Sequence, residues 1–190
     1  MGRDYLLNPV EFLVQAILGL VLLLLLLRFL LQVSRADFYN PLSQIVLKAT
    51  QPVLRPLRRV IPGSARVDGA SLLLLVVVQM VTLAVVAALR GMPLGLGGLI
   101  FWSLAELLTL LINVYFVSVI VQALLSWFKP GRNPLGALLY TFNQPLLDPA
   151  RRLLPAMSGL DLSPILVLFG LQLAKMLLIP PLLAAAQALN

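Results

Sequence analysis

Four long apolar runs set the pattern of this chain: Val10 to Val33, Ser71 to Leu89, Leu99 to Phe128, and Pro164 to Ala188. Each is close to or beyond the roughly 20 residues that carry a helix across a bilayer. At that depth a backbone can satisfy its polar groups only within a helix or a closed barrel, so the runs predict four transmembrane helices. The first run is longer than the ~7–15 apolar residues of a signal peptide. Arg28 stands within its end and Arg35 follows it where a small-residue cleavage site would stand, so it reads as a retained span. Asp68 just ahead of Ser71, and Ser163 before Pro164, mark two helix starts. Pro180-Pro181 is expected to bend or end the fourth span.

The two longer polar stretches are copies of one another. At an offset of 93 residues, Asn40-Pro41-Leu42 falls on Asn133-Pro134-Leu135, and Gln51-Pro52 on Gln144-Pro145. Leu54, Pro56, Arg58, Arg59 and Pro62 fall on Leu147, Pro149, Arg151, Arg152 and Pro155. Ten of the 23 positions from 40 to 62 match without a gap, too many for unrelated loops, so the chain is an internal duplication. The same offset pairs Asp68 with Asp161 and Gln79 with Gln172. The first repeat takes residues 1–90, with its loop at 40–62. A Gly/Pro turn occupies 91–98. The second repeat takes 99–190, with its loop at 133–155. Each copy runs span, loop, span, giving an all-α membrane protein whose repeats share one topology, the kind usually related by an axis along the membrane normal.

Within each loop, Asn before Pro starts a helix, and Leu42, Ile45, Val46 and Ala49 recur at helical spacing. Pro52 is expected to restart the chain. Arg55, Arg58 and Arg59 then share a face opposite Leu54, Leu57 and Ile61, an amphipathic segment suited to the headgroup boundary. In the second copy Asp148 joins Arg151 and Arg152 and can pair with either.

Composition agrees with the pattern. Hydrophobic residues make up 61% and charged residues 11%, against about half and a quarter in soluble domains. The net charge of +7 would suggest nucleic acid in a soluble protein. Here the basic residues lie between spans, so anionic headgroups explain them better and no nucleic-acid partner is expected. The positive-inside rule places both basic loops in the cytoplasm and both termini in the periplasm. With no Cys and no His, the chain lacks thiolate nucleophiles, Cys/His metal sites and the usual haem ligands. No cofactor or catalytic group is expected.

Glu106 is the one acid well inside a span, and Lys175 the one lysine. Counted from the ends of their runs they lie at similar depth, which predicts a buried ion pair locking the second repeat, with a proton or ion path and a water-exposed interfacial Glu106 as the alternatives. Thr109 and Asn113 extend the Glu106 face. Gln79 and Gln172 are expected to bond across the pseudo-twofold. Arg28 and Trp127 are expected to snorkel and anchor at the interface.

The doubled Asn-Pro-Leu, Gln-Pro, and Leu-x-Pro-x-Arg-Arg-x-x-Pro pattern resembles the YggT family of small bacterial membrane proteins. Leu124-Leu125-Ser126-Trp127-Phe128 and Gly159-Leu160-Asp161-Leu162-Ser163-Pro164 make the second copy the nearer match. The resemblance implies an inner-membrane protein without known enzymatic activity. It also implies links to osmotic or envelope stress, cell division and shape and, in plastid relatives, cytochrome assembly. The expected role is a non-enzymatic scaffold or assembly factor with an unidentified protein partner. The alternative is a small ion or solute transporter or channel, for which a homo-oligomer could line a pore.

Overall fold

The computed structural model describes residues 2–59, 68–128, 133–153 and 161–190. Among them it forms six helices: α1 (Gly2–Val33), α2 (Pro41–Leu57), α3 (Gly69–Arg90), α4 (Leu96–Phe128), α5 (Pro134–Leu153) and α6 (Ser163–Ala188). Four are long and apolar enough to cross a membrane, over Asn8–Val33, Gly69–Arg90, Leu96–Ser126 and Ser163–Ala188. The protein is a multi-pass membrane protein. Pro62, Pro155 and the Trp127 side chain lie outside what is described.

The spans stand in chain order. α1 packs on α3, α3 on α4 and α4 on α6, while α2 lies against α1 and α5 against α4 and α6. α6 does not fold back onto α1, so the row of spans is open and the repeats depart from a closed twofold arrangement. The largest apolar core joins Leu22, Leu25, Leu26, Leu30 and Leu31 of α1 to Leu54 of α2 and Leu75 of α3, and reaches Leu138 and Phe142 of α5. A smaller one joins Val119, Leu147, Ala150 and Val167 in the second repeat.

Local chemistry sets the boundaries. Asn40 and Asn133 cap α2 and α5 by accepting from the N–H groups of Leu42 and Leu135 at 3.0 and 3.1 Å. Gly91 ends α3 in the left-handed region at φ 65°, where glycine carries no Cβ penalty. The N–H of Met92 then returns to Ala87 O at 3.0 Å. The turn between repeats is shorter than expected, because α4 already begins at Leu96. Gly97 and Gly98 are helical and form the contact with the end of α6: a Cβ on Gly97 would lie 2.8 Å from Leu189 Cβ, and one on Gly98 3.0 Å from Ala186 O.

Two expectations at the prolines change, and the bend-or-end reading of Pro180-Pro181 loses its second half. Pro52 does not restart the chain: α2 runs through Pro52 and Pro56, and α5 through Pro145 and Pro149. All four prolines are exposed, so the carbonyls they leave unpaired face away from the core and need no protein partner. Pro180-Pro181 does not end α6, whose packing on α4 continues to its last turn. Ser163 is the first helical residue rather than the cap, a place taken by Leu162.

Candidate functional site

The repeated arginines divide into two kinds. Arg58 and Arg151 turn inward and clasp the acids ten residues ahead. Arg58 donates through Nε and Nη2 to Asp68 Oδ2, the Nε bond being 3.1 Å. Ser71 Oγ donates to the same oxygen at 2.7 Å. In the second copy Arg151 Nε donates to Asp161 Oδ2 at 3.1 Å, and Ser163 Oγ to Asp161 Oδ1 at 2.5 Å. Each clasp ties the end of the amphipathic helix to the start of the following span. Asp68, expected as a helix cap, makes no cap bond to the backbone; its Oδ2 is taken by Arg58 and Ser71, and its Oδ1 is buried without a partner among the described residues. Both pairings were implicit in the 93-residue offset, which matches Arg58 with Arg151 and Asp68 with Asp161, but the spacing alone did not reveal the contact.

The clasps differ in burial. Asp68 is 1% exposed, whereas Asp161 is 39% exposed. Burial alone would raise the Asp68 carboxyl, but the hydrogen bonds from Arg58 and Ser71 outweigh it and hold it below the ordinary carboxylate value. Asp161 is held down in the same way against its milder burial, by Ser163 first and then Arg151. Arg151 also approaches Asp148 at 3.5 Å, the local pairing the sequence suggested, and its guanidinium lies 5.8 Å over the Tyr140 ring.

A second polar contact, one turn or more earlier, seats each amphipathic helix. Arg28 does not snorkel. It is buried and donates to Thr50 Oγ1 at 2.8 Å and Leu47 O at 3.1 Å, because α2 covers that face of α1. At the matching position Asn143 is fully buried. It accepts from Ser118 Oγ at 2.6 Å and donates to Gln122 Oε1 at 2.8 Å. The Phe142 ring stacks on Tyr115 with centroids 5.0 Å apart. Between the copies, Asn40 Nδ2 donates to Pro134 O at 2.7 Å. Arg55, Arg59 and Arg152 remain exposed.

Within the spans, the expected Glu106–Lys175 pair does not form. Lys175 Nζ donates to Asn113 Oδ1 at 3.0 Å instead. The contact of Gly97 with Leu189 fixes the α4–α6 register. Equal steps along the two helices put Lys175 level with Leu111, about 7.5 Å from the level of Glu106 at 1.5 Å per residue. Thr109 turns back on its own helix, donating to Ala105 O at 2.8 Å. Glu106 lines a cavity of about 340 Å³ with Gln15, Gln79 and Thr82, between α1, α3 and α4. Gln79 is 7% exposed there, while Gln172 is exposed, so these two do not bond across the repeats. Glu11 and Arg90 form an ion pair between α1 and α3, Nε to Oε2 at 3.0 Å, which the sequence reading missed. Both lie near the turn-side ends of neighbouring antiparallel spans, and that was the available signal.

This architecture is that of a duplicated four-span membrane protein with a basic, clasped helix in each copy. The chain belongs to the CCB3/YggT family, whose description matches residues 7–89 and 101–182, one segment in each repeat. It is 45% identical over 178 residues to an uncharacterised Pseudomonas aeruginosa protein, covering 91% of this chain and 89% of that one. It is 37% identical over 174 residues to an uncharacterised protein of the proC 3′ region of Vibrio alginolyticus, covering 90% and 94%. To the uncharacterised Escherichia coli protein YggT it is 38% identical over 181 residues, covering 89% and 88%. No solved structure matches the chain.

Proposed function

We propose that this chain is a non-enzymatic scaffold or assembly factor of the bacterial inner membrane, presenting two rigid basic helices on the cytoplasmic side to another envelope component. The observation that carries the reading is the doubled clasp. One arginine in each copy is spent on holding the helix, and that fixes the bearing of Arg55, Arg59 and Arg152, which stay exposed. A topology signal needs charge but no fixed shape. Crosslinking in native membranes with mass-spectrometric identification of neighbours tests it. The Arg55→Ala, Arg59→Ala, Arg152→Ala variant should lose specific neighbours while keeping its fold. An unchanged neighbour set would reduce these arginines to lipid contacts.

One observation favours a transport reading: Glu106 makes no ion pair among the described residues and shares with the buried Gln79 a cavity whose other walls are largely apolar. Intramembrane carboxylates commonly mark ion paths. Purified protein in liposomes should then show an ion flux that Glu106→Gln abolishes. Absence of flux in the native chain would remove this reading.

A further inference from the structure

Two hollows lie along α5 on the side of the membrane where α2 and α5 lie. The larger, of about 510 Å³, lies between the repeats. It is walled by apolar residues of all four neighbouring helices, among them Leu31 of α1, Val46 of α2, Val117 of α4, and Leu138, Leu139 and Phe142 of α5. Its size falls within the roughly 300–1,000 Å³ of small-molecule sites. The smaller, of about 310 Å³, has mixed walls: Ser34 just past α1, and Thr141, Gln144, Asp148 and Arg152 of α5 with two of its prolines between them. Leu31 and Ser34 are one turn apart, so the last turn of α1 borders both. An apolar chamber beside a charged one suits a lipid with its tail and its headgroup.

The charges on the polar wall narrow the headgroup. Asp148 and Arg152 are four residues apart on one helix face, with Cβ atoms roughly 5–6 Å apart, yet they do not bridge each other among the described ion pairs. Asp148 has only the long 3.5 Å approach of Arg151, which is engaged more closely by Asp161. The wall therefore offers an uncommitted cation and a nearly free anion side by side. The first repeat cannot do this: the offset places Arg55 and Arg59 at those positions, with Lys48 and Gln51 beside them.

We infer that this groove binds one phospholipid whose headgroup carries both a phosphate and a primary ammonium, with an acyl chain in the apolar cavity. The Arg152 guanidinium donates to the phosphate oxygens, and the Asp148 carboxylate accepts from the ammonium N–H groups, both charge-assisted bonds. Gln144 supplies a neutral donor. A trimethylammonium head carries charge but has no N–H to give Asp148, and a glycerol head brings no cation, so neither offers the carboxylate a charged N–H donor.

The full chain, purified and stripped of lipid in detergent, is offered phosphatidylethanolamine, phosphatidylcholine and phosphatidylglycerol in equal amounts, and retained lipid is read by native mass spectrometry. Phosphatidylethanolamine should be retained roughly tenfold over each of the others, the worth of one hydrogen bond to a charged group. Asp148→Asn should erase its advantage over phosphatidylcholine. Arg152→Gln should weaken all three, and Arg59→Gln none. Leu139→Trp, or Val46→Phe if the first does not fold, should fill the cavity and lower retention without altering headgroup order. Equal retention of the three lipids, or a preference that survives Asp148→Asn, would overturn the proposal and leave only general bilayer contact.

Discussion

Arg58 and Arg151 occupy the same place in the repeat, and the worth of each is set by the acid it holds. Removing Arg58 strands a carboxylate that is 1% exposed. Breaking a buried pair from one side costs about 3–5 kcal/mol; with the arginine itself 40% exposed, the lower end applies. Asp161 and Asp148 are 39% and 41% exposed, so removing Arg151 costs about 1 kcal/mol or less. Thermal unfolding in detergent should thus show a large loss for Arg58→Ala and a small one for Arg151→Ala. Proton linkage points the same way. Both carboxyls are held below their ordinary value in the folded chain, so their stabilisation is complete above the unfolded value of ~3.9. It is lost as pH falls through the lower folded value. Melting temperature should be flat above about pH 5 and fall on further acidification. Asp68→Asn should flatten more of that fall than Asp161→Asn.

At the level of elements, the α4–α6 contact depends on residues without side chains. Gly98 meets the Ala186 carbonyl, a backbone atom that cannot swing aside. Gly98→Leu should destabilise by about 1–3 kcal/mol through overpacking. Gly19→Ala and Gly170→Ala, where nothing lies within 4 Å of the added Cβ, should be neutral or mildly stabilising. The same thermal assay separates the three. The seating of α5 is a second test at this scale. Asn143→Ala strips Ser118 and Gln122 of a buried partner and should cost about 1–2 kcal/mol. Elements were the most legible feature of the sequence, because four apolar runs and two Asn-Pro starts each carry a direct physical signal. The proline-containing helices were not. Proline's penalty is a local rule, and here the exposed side of α2 and α5 absorbs it.

For the molecule as a whole, the sequence revealed two copies but not how they meet. The offset of 93 residues established the duplication, and charge bias separated the loop side from the turn side. Depth counted from hydropathy placed Glu106 and Lys175 together; the glycine contacts at Gly97 and Gly98 set a register that separates them. A double-mutant cycle of Glu106→Gln and Lys175→Gln should therefore give a coupling within about 0.5 kcal/mol of zero. The clasps were missed for a related reason. Arg58 and Asp68 lie ten residues apart, a spacing that belongs to no single helix face and becomes a contact only when the chain turns between α2 and α3.

The bond from Asn40 to Pro134 carries a consequence for how such a molecule can be inherited. Asn133, its counterpart, caps its own helix and makes no return bond to α2 among the described residues. Two identical subunits would have to share one role between them, each both giver and receiver. A fused pair is free of that demand, and its halves have specialised. One holds its surface helix with an arginine on a threonine, the other with a serine, an asparagine and a glutamine. A gene carrying either half twice would double one way of seating the surface helix and lose the other, and should yield less of the monodisperse protein than the native order.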